Sequence, residues 1–279
     1  MKTIVLTGAK GMFGQDATRI FGESGYKVIP VDIQDFDITQ ESSVKEYFNN
    51  LQCDYVVHAA AYTQVDLAET NREKAFLINA KGAENLAKVT AEKGIPIVYI
   101  STDYVFDGEG NTPYLPSSKT NPQSVYGASK LEGEIAVQKY NPKHFITRTS
   151  WLYGKNGKNF VDTMIALSQT QPVLKVVNDQ AGCPTWTYDL AEGILKIIGS
   201  NSPYGIYHVC GSGYTTWWGF ARKIFELENI NIEVIPVTTA EFPRPAKRPK
   251  YSVMENNGIC RHWEQSLSMY LEMKRKVSE

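Results

Sequence analysis

No stretch of this 279-residue chain approaches the ~18–20 consecutive apolar residues that a membrane-spanning helix needs. Cysteine is scarce and scattered: Cys53, Cys183, Cys210 and Cys260 form no C-x-x-C pair, so neither a zinc site nor a disulfide framework is suggested. Charge of one sign is also lacking. The 29 Lys and Arg against 30 Asp and Glu give a formal net charge of −1, which removes the electrostatic case for a nucleic-acid or membrane partner. The opening MKTIVLTGAKG has no apolar core of signal-peptide length, because Gly8 and Gly11 interrupt it. The expectation is a cytoplasmic protein with reduced thiols.

What remains is ordinary globular composition, 42% hydrophobic and 21% charged, without internal repeats or low-complexity segments. The first 150 residues alternate apolar, β-branched runs with helical stretches. Strands are expected at Lys2–Thr7, Tyr26–Val31, Asp54–His58 (continuing through Ala61), Ile95–Ser101 and Phe145–Arg148. Helices are expected at Met12–Glu23, from an N-cap at Thr39 to Leu51, at Arg72–Lys93 and at Gly127–Lys139. Strand–helix alternation implies βαβ units and a parallel sheet. After residue 150 the rhythm loosens. Helices fit Phe160–Ser168, Tyr188–Ile198, Thr216–Glu228 and Trp263–Lys274, and short strands fit Val173–Val177, Ile206–Val209 and Ile232–Pro236. The expected architecture is an α/β Rossmann-type doubly wound parallel sheet over residues 1–150. Residues 151–279 form mainly a smaller α/β substrate-binding lobe, with some segments returning to the sheet.

Gly8, Gly11 and Gly14 form G-x-x-G-x-x-G between a strand and a helix. Such a turn needs a tight bend, then backbone able to approach a pyrophosphate, then close helix–strand packing. The helix N-terminus adds partial positive charge and free N–H groups. Asp32 at the end of the second strand completes a dinucleotide-binding fingerprint, its carboxylate suited to the adenosine ribose hydroxyls. That carboxylate disfavours a 2′-phosphate and so favours NADH, an effect that Lys10 in the loop partly offsets. Asp37 and Ile38 could flank the adenine, and Ala59, Ala60 and Ala61, followed by Thr63, would let the backbone pass close to the cofactor.

Tyr126-Gly-Ala-Ser-Lys130 places a phenol and an ammonium one helical turn apart. An ammonium beside a phenol stabilises the phenolate and brings its pKa towards the working range of a proton shuttle. Such a pair gains meaning from Ser101-Thr102-Asp103 at the end of the fourth strand, the edge where ligands of parallel sheets sit. Thr102 is then placed to hydrogen-bond the same substrate oxygen as Tyr126, and Lys130 to hold the nicotinamide ribose. The candidate catalytic residues are Thr102, Tyr126 and Lys130.

With Ser101-Thr102-Asp103-Tyr104-Val105-Phe106, the glycine pattern and Tyr126-Gly-Ala-Ser-Lys130, the chain resembles the extended short-chain dehydrogenase/reductases. Arg148-Thr149-Ser150-Trp151-Leu152-Tyr153-Gly154, Asn178-Asp179-Gln180 with Cys183-Pro184-Thr185, and Arg244-Pro245-Ala246-Lys247-Arg248-Pro249 resemble one branch, the dTDP-4-dehydrorhamnose reductases. The resemblance implies reduction of the C4 ketone of a dTDP-linked 4-keto-6-deoxy sugar, with NADPH as cofactor and NADH also accepted. It implies that Tyr126 donates the proton, Lys130 tunes it and Thr102 orients the carbonyl. It adds Met12, Phe13, Ile33 and Tyr62 to the cofactor contacts. The sugar nucleotide falls to Asp103, Tyr104, Trp151, Asn178, Gln180 and Arg248, with Lys250 a further diphosphate candidate. Some members form magnesium-bridged dimers. Here Tyr188 stands where one bridging glutamate would align, so a monomer or weak homodimer without a catalytic metal is expected. Nucleotide-sugar epimerases, 4,6-dehydratases and non-catalytic regulatory subunits share the fold. Tyr104 stands where a dehydratase needs an acid after its Thr-Asp pair, and intact Thr102, Tyr126 and Lys130 speak against a regulatory subunit.

Overall fold

The structure, a computed structural model, describes residues 1–200 and 202–278. Its centre is a six-stranded parallel sheet built outward from β1 (Thr3–Thr7). On one side of β1 lies β2 (Lys27–Val31), and on the other β3 (Tyr55–His58), β4 (Ile97–Thr102) and β5 (His144–Thr149) follow in turn. The far edge is Gly205–His208 (β10 below), which pairs in parallel with β5 although more than fifty residues separate them. Strand order reverses at β1, with β2 added on one side and β3 on the other, so the crevice above the carboxyl ends of β1 and β3 is the topological switch point where ligands of such sheets bind.

Alternation along the strands explains why both faces are covered. Ile4 and Leu6 of β1 point into one apolar layer, under α1 (Met12–Glu23) and α8 (Thr187–Gly199). Val5 points into the other, under α2 (Glu41–Phe48), α5 (Gly82–Glu92) and α6 (Val125–Tyr140). A parallel sheet buried on both faces should read as continuous apolar strands, and TIVLT and IVYIST do.

Three expectations are corrected. The third strand stops at His58 rather than running through Ala61, because the Ala60 N–H turns out of the ladder to donate to Thr7 Oγ1 at 3.2 Å. Thr39 does not cap α2. Its N–H and hydroxyl both donate to Asp37 Oδ1, and Gln40 precedes the helix without a side-chain cap bond. The single helix expected at Arg72–Lys93 follows a short α3 (Val65–Ala68) and is divided. α4 (Arg72–Phe76) passes through a π-helical turn, Leu77–Lys81, into α5. The wider turn aims the buried Asn79 side chain inward, where it accepts from the Tyr62 N–H at 2.7 Å and donates to Ser129 Oγ at 2.9 Å.

Beyond β5 a second body forms around its own core. It contains β6 (Leu152–Tyr153), α7 (Phe160–Ser168), β7 (Val173–Val177), β8 (Ala181–Gly182) and β9 (Thr185–Trp186). After α8 and β10 return to the sheet come β11 (Thr215–Thr216), α9 (Trp217–Leu227), β12 (Glu233–Val237) and α10 (Trp263–Ser278). Aromatic rings fill this core. Fully buried Phe220 meets Tyr153, Phe160 and Trp263, with ring centroids 5.4–5.7 Å apart. Phe220→Ala should therefore cost about 3–5 kcal/mol, read as a lowered urea midpoint with an unchanged denaturant slope.

Candidate active site

Above the switch point the glycine turn meets β3. Gly8 has φ +69°, and a Cβ there would lie 2.7 Å from the Ala60 nitrogen. A Cβ on Gly14 would lie 2.2 Å from the Gly8 carbonyl oxygen. Gly11 caps α1 with extended backbone and no side chain, leaving the first-turn N–H groups of Met12, Phe13 and Gly14 facing a cavity of about 670 Å³. Asp32 sits at its rim. Its carboxylate accepts from the Lys10 N–H at 3.1 Å and the Ile33 N–H at 2.9 Å, which fixes its direction, while Lys10 Nζ donates to Gln34 Oε1 at 2.8 Å. Ile33, Asp37, Ile38, Ala59, Ala60, Ala61 and Thr63 also line this space. A narrow cradle that admits no Cβ, a helix N-terminus and a carboxylate one strand away together fit the pyrophosphate and ribose of a dinucleotide.

The other end of the cavity is set by α6 and the end of β4. Ser124 Oγ accepts from the Gly127 N–H at 3.1 Å and starts α6. Gly127 allows that helix to press on the turn after β4, since a Cβ would lie 2.2 Å from the Tyr104 carbonyl oxygen. The Tyr104 and Tyr126 rings meet edge to face, centroids 5.5 Å apart. Thr102 Oγ1 donates to Asp103 Oδ1 at 3.0 Å and accepts from the Tyr104 N–H at 3.2 Å. Thr102, Asp103, Tyr104, Tyr126, Lys130 and Trp151 thus reach the same cavity as the glycine turn.

Electrostatics corrects one expectation. Burial pushes the half-buried Tyr126 phenol up to about 12, and although the Thr102 hydroxyl pulls it down, the Asp103 charge adds to the rise. Burial pushes Lys130 down to about 7, with the Glu134 carboxylate pulling the other way. Its Nζ lies 4.0 Å from the Tyr99 ring centroid. The expected lowering of the phenol by the ammonium is therefore overridden by desolvation of both groups. Asp103, also desolvated, is raised to about 6 despite the Ser252 and Thr102 hydroxyls, which pull it down.

Five expected contacts lie outside this cavity. Tyr62 is held by Asn79 through its backbone. Asn178 Oδ1 accepts from Thr216 Oγ1 at 2.7 Å. Gln180 accepts from Trp217 Nε1 at 3.1 Å and donates to Thr239 Oγ1 at 2.9 Å, so it reaches the site only through Trp217. Trp217 stacks flat on Trp151 at 3.5 Å, and Trp151 itself is held at φ +46°, an uncommon conformation for a bulky residue that aims the indole over Gly182. Arg248 forms a paired bridge with Asp66 of α3 at 2.8 and 2.9 Å, and Lys250 is exposed. Tyr188 stacks on Trp186, and all four cysteines are free. Among the described residues no group of three or more His, Cys, Asp or Glu is arranged to hold a metal.

Sequence reasoning missed Thr7, whose hydroxyl joins the buried His58 Nδ1 at 2.8 Å and the Ala60 N–H, and Ser150, which donates to the Cys183 carbonyl at 2.7 Å. Both stand at strand ends facing the cavity, so their position was a usable signal. Glu134 was missed as well. It is fully buried and paired with Arg148, and it stands one turn beyond Lys130.

The family model described as RmlD substrate binding domain matches residues 1–276. The chain is similar to the spore coat polysaccharide biosynthesis protein SpsK of Bacillus subtilis, 40% identical over the whole of both chains. Among solved structures, a dTDP-4-dehydrorhamnose reductase from Clostridium acetobutylicum is 46% identical with a TM-score of 0.94. The Bacillus anthracis dTDP-4-dehydrorhamnose reductase in complex with NADP is 41% identical, also at 0.94. In both cases the match covers 98% of this chain and 99% of the other.

Gly14→Ala should abolish dinucleotide binding in a fluorescence titration, because its methyl has only backbone to displace. Lys130 gives a pH signature. Its folded pKa of about 7 lies below the ordinary 10.5, so the unfolded chain binds more protons between those values and stability rises with pH there. The cost of burying the ammonium is complete below pH 7. Urea midpoints should show Lys130→Met gaining most over the parent at or below pH 7, the advantage shrinking by about 1.4 kcal/mol per pH unit above it.

Proposed function

The chain belongs to the RmlD substrate binding domain family, and from that premise we propose that it reduces the C4 ketone of dTDP-4-dehydro-β-L-rhamnose to give dTDP-L-rhamnose, with NADPH as the preferred cofactor and NADH accepted. The observation that carries this reading is the convergence of Thr102, Tyr126, Lys130 and Trp151 on the cavity that begins at the glycine turn and Asp32. Preference for NADPH is supported by the NADP complex of the Bacillus anthracis relative.

Bound along the glycine turn, the nicotinamide cofactor supplies a hydride to the carbonyl carbon. Tyr126 gives the proton from its phenol oxygen to the developing C4 alkoxide, and Thr102 Oγ1 hydrogen-bonds the same oxygen and orients it. A phenol held near 12 is a firm acid reservoir that releases its proton only to a basic oxygen, and the alkoxide is one. Lys130 stabilises the resulting phenolate and holds the nicotinamide ribose. Tyr104 and Asp103 shape the sugar pocket, and the Trp151 indole, backed by Trp217, supplies a flat wall that excludes water. Arg248, paired with Asp66 and felt electrostatically by Tyr104, is the candidate for the diphosphate. Four free thiols support action in the cytoplasm, a reducing compartment.

Tyr104 in the position after Thr102-Asp103 opposes the dehydratase reading, since a phenol raised by burial is a poor acid for eliminating water. Loss of nicotinamide absorbance with dTDP-linked 4-keto-6-deoxy sugars, compared with UDP- and GDP-linked ones, tests the reading. Turnover on none of them would remove the reductase assignment, and turnover on another nucleotide alone would move it to a different sugar. Tyr126→Phe should lower kcat by about 10²–10⁴ with little change in KM.

A further inference from the structure

α6 carries one more polar group on its inner stripe. Tyr126, Lys130 and Glu134 follow at i, i+4 and i+8, so all three face the sheet. Glu134 is wholly buried, and its carboxylate is saturated from two strands. Ser101 Oγ of β4 donates to Oε1 at 2.5 Å, while Arg148 of β5 donates through Nε to Oε1 at 2.9 Å and through Nη2 to Oε2 at 2.7 Å. Ser101 and Arg148 are register partners across the β4–β5 ladder, one residue before the strand ends. The residue after Ser101 is Thr102, and three residues after Arg148 comes Trp151. One carboxylate thus joins the helix bearing the proton donor to the strand ends bearing the carbonyl-orienting hydroxyl and the indole wall.

We propose that Glu134 is a positioning residue for the reduction: its clamp on Ser101 and Arg148 fixes Tyr126 against Thr102, and its charge lets buried Lys130 stay protonated. The inference rests on the reductase reading above. The charges facing Lys130 favour it. From α6 comes Glu134, from β4 the face of the Tyr99 ring, and from β3 the buried His58, which burial and Lys130 itself keep neutral by pushing it down to about 3. Arg148 engages both oxygens of the Glu134 carboxylate, so the carboxylate is the one anion shared by two buried cations. With Glu134 neutral, two cations would remain buried with no anion between them, and lysine is the one able to give up its proton.

The test is Glu134→Gln, whose amide oxygen still accepts a hydrogen bond but carries no charge. The expected result is a fall in kcat of tenfold or more at pH 7.5, with KM for the sugar nucleotide within about twofold. The alkaline limb of kcat against pH should move down by at least about one unit, and Glu134→Asp should restore the limb while recovering only part of kcat. A readout independent of turnover is the stability of the cofactor-free protein: its rise with pH above 7 should begin at lower pH in Glu134→Gln. Should Glu134→Gln not fold, Glu134→Gln/Arg148→Met removes both charges and the clamp together; the fall in kcat is still expected, with a smaller downward move of the alkaline limb because the second cation is gone as well. A folded variant with native kcat, an unmoved alkaline limb and an unmoved stability profile overturns the proposal. A native protein without reductase activity overturns the premise instead, so the two failures are distinguishable.

Discussion

The site depends on one backbone approach that no side chain can share. The turn after β1 comes so close to the end of β3 that Gly8 faces the Ala60 nitrogen without room for a methyl, and Gly14 lies against the Gly8 carbonyl in the same way. These contacts bring α1 down onto the sheet at the point where strand order reverses. They also decide where β3 must end, because Ala60 surrenders its ladder partner to Thr7. A cavity that opens from a helix N-terminus at one end and reaches the Tyr126 phenol at the other follows from this geometry.

Much of this was legible before any coordinates, for identifiable reasons. The strands of the sheet are continuous β-branched runs, and glycine spacing carries its own stereochemistry, so β1, α1, β2 and Asp32 could be placed within a residue or two. Tyr126 and Lys130 were readable because helical periodicity is local. What the sequence did not show lies where distant parts of the chain decide. The π-helical turn at Leu77–Lys81 answers to Tyr62 and Ser129, which helical propensity does not register. Gln180, expected against the sugar, instead supports Trp217 behind Trp151. Arg248 was expected at a diphosphate and is held by Asp66, 182 residues away. Glu134 went unread because a glutamate on a helix is ordinarily solvated.

The electrostatic character of the site is set by exclusion of water more than by proximity of charge. Phenol, ammonium and Asp103 carboxyl are all displaced towards their neutral forms, each by burial first. A pocket that penalises every charge gives the greatest advantage to the few groups placed to answer charge as it forms. Reading Tyr126 and Lys130 as an isolated pair, one simply lowering the other, misses this shared background.

The return of α8 and β10 to the sheet has a consequence for how such a protein can be divided. The edge strand beside β5 and the helix against α1 are supplied by chain that has already crossed the second body, through β6, α7 and β7. The two bodies are interleaved along the chain. A cut after residue 150 leaves the sheet with an uncapped edge and an unroofed apolar face, so its halves are not interchangeable modules. Variation in this scaffold therefore has to arise by change within loops such as the one holding Trp151, and not by exchange of one cassette for another.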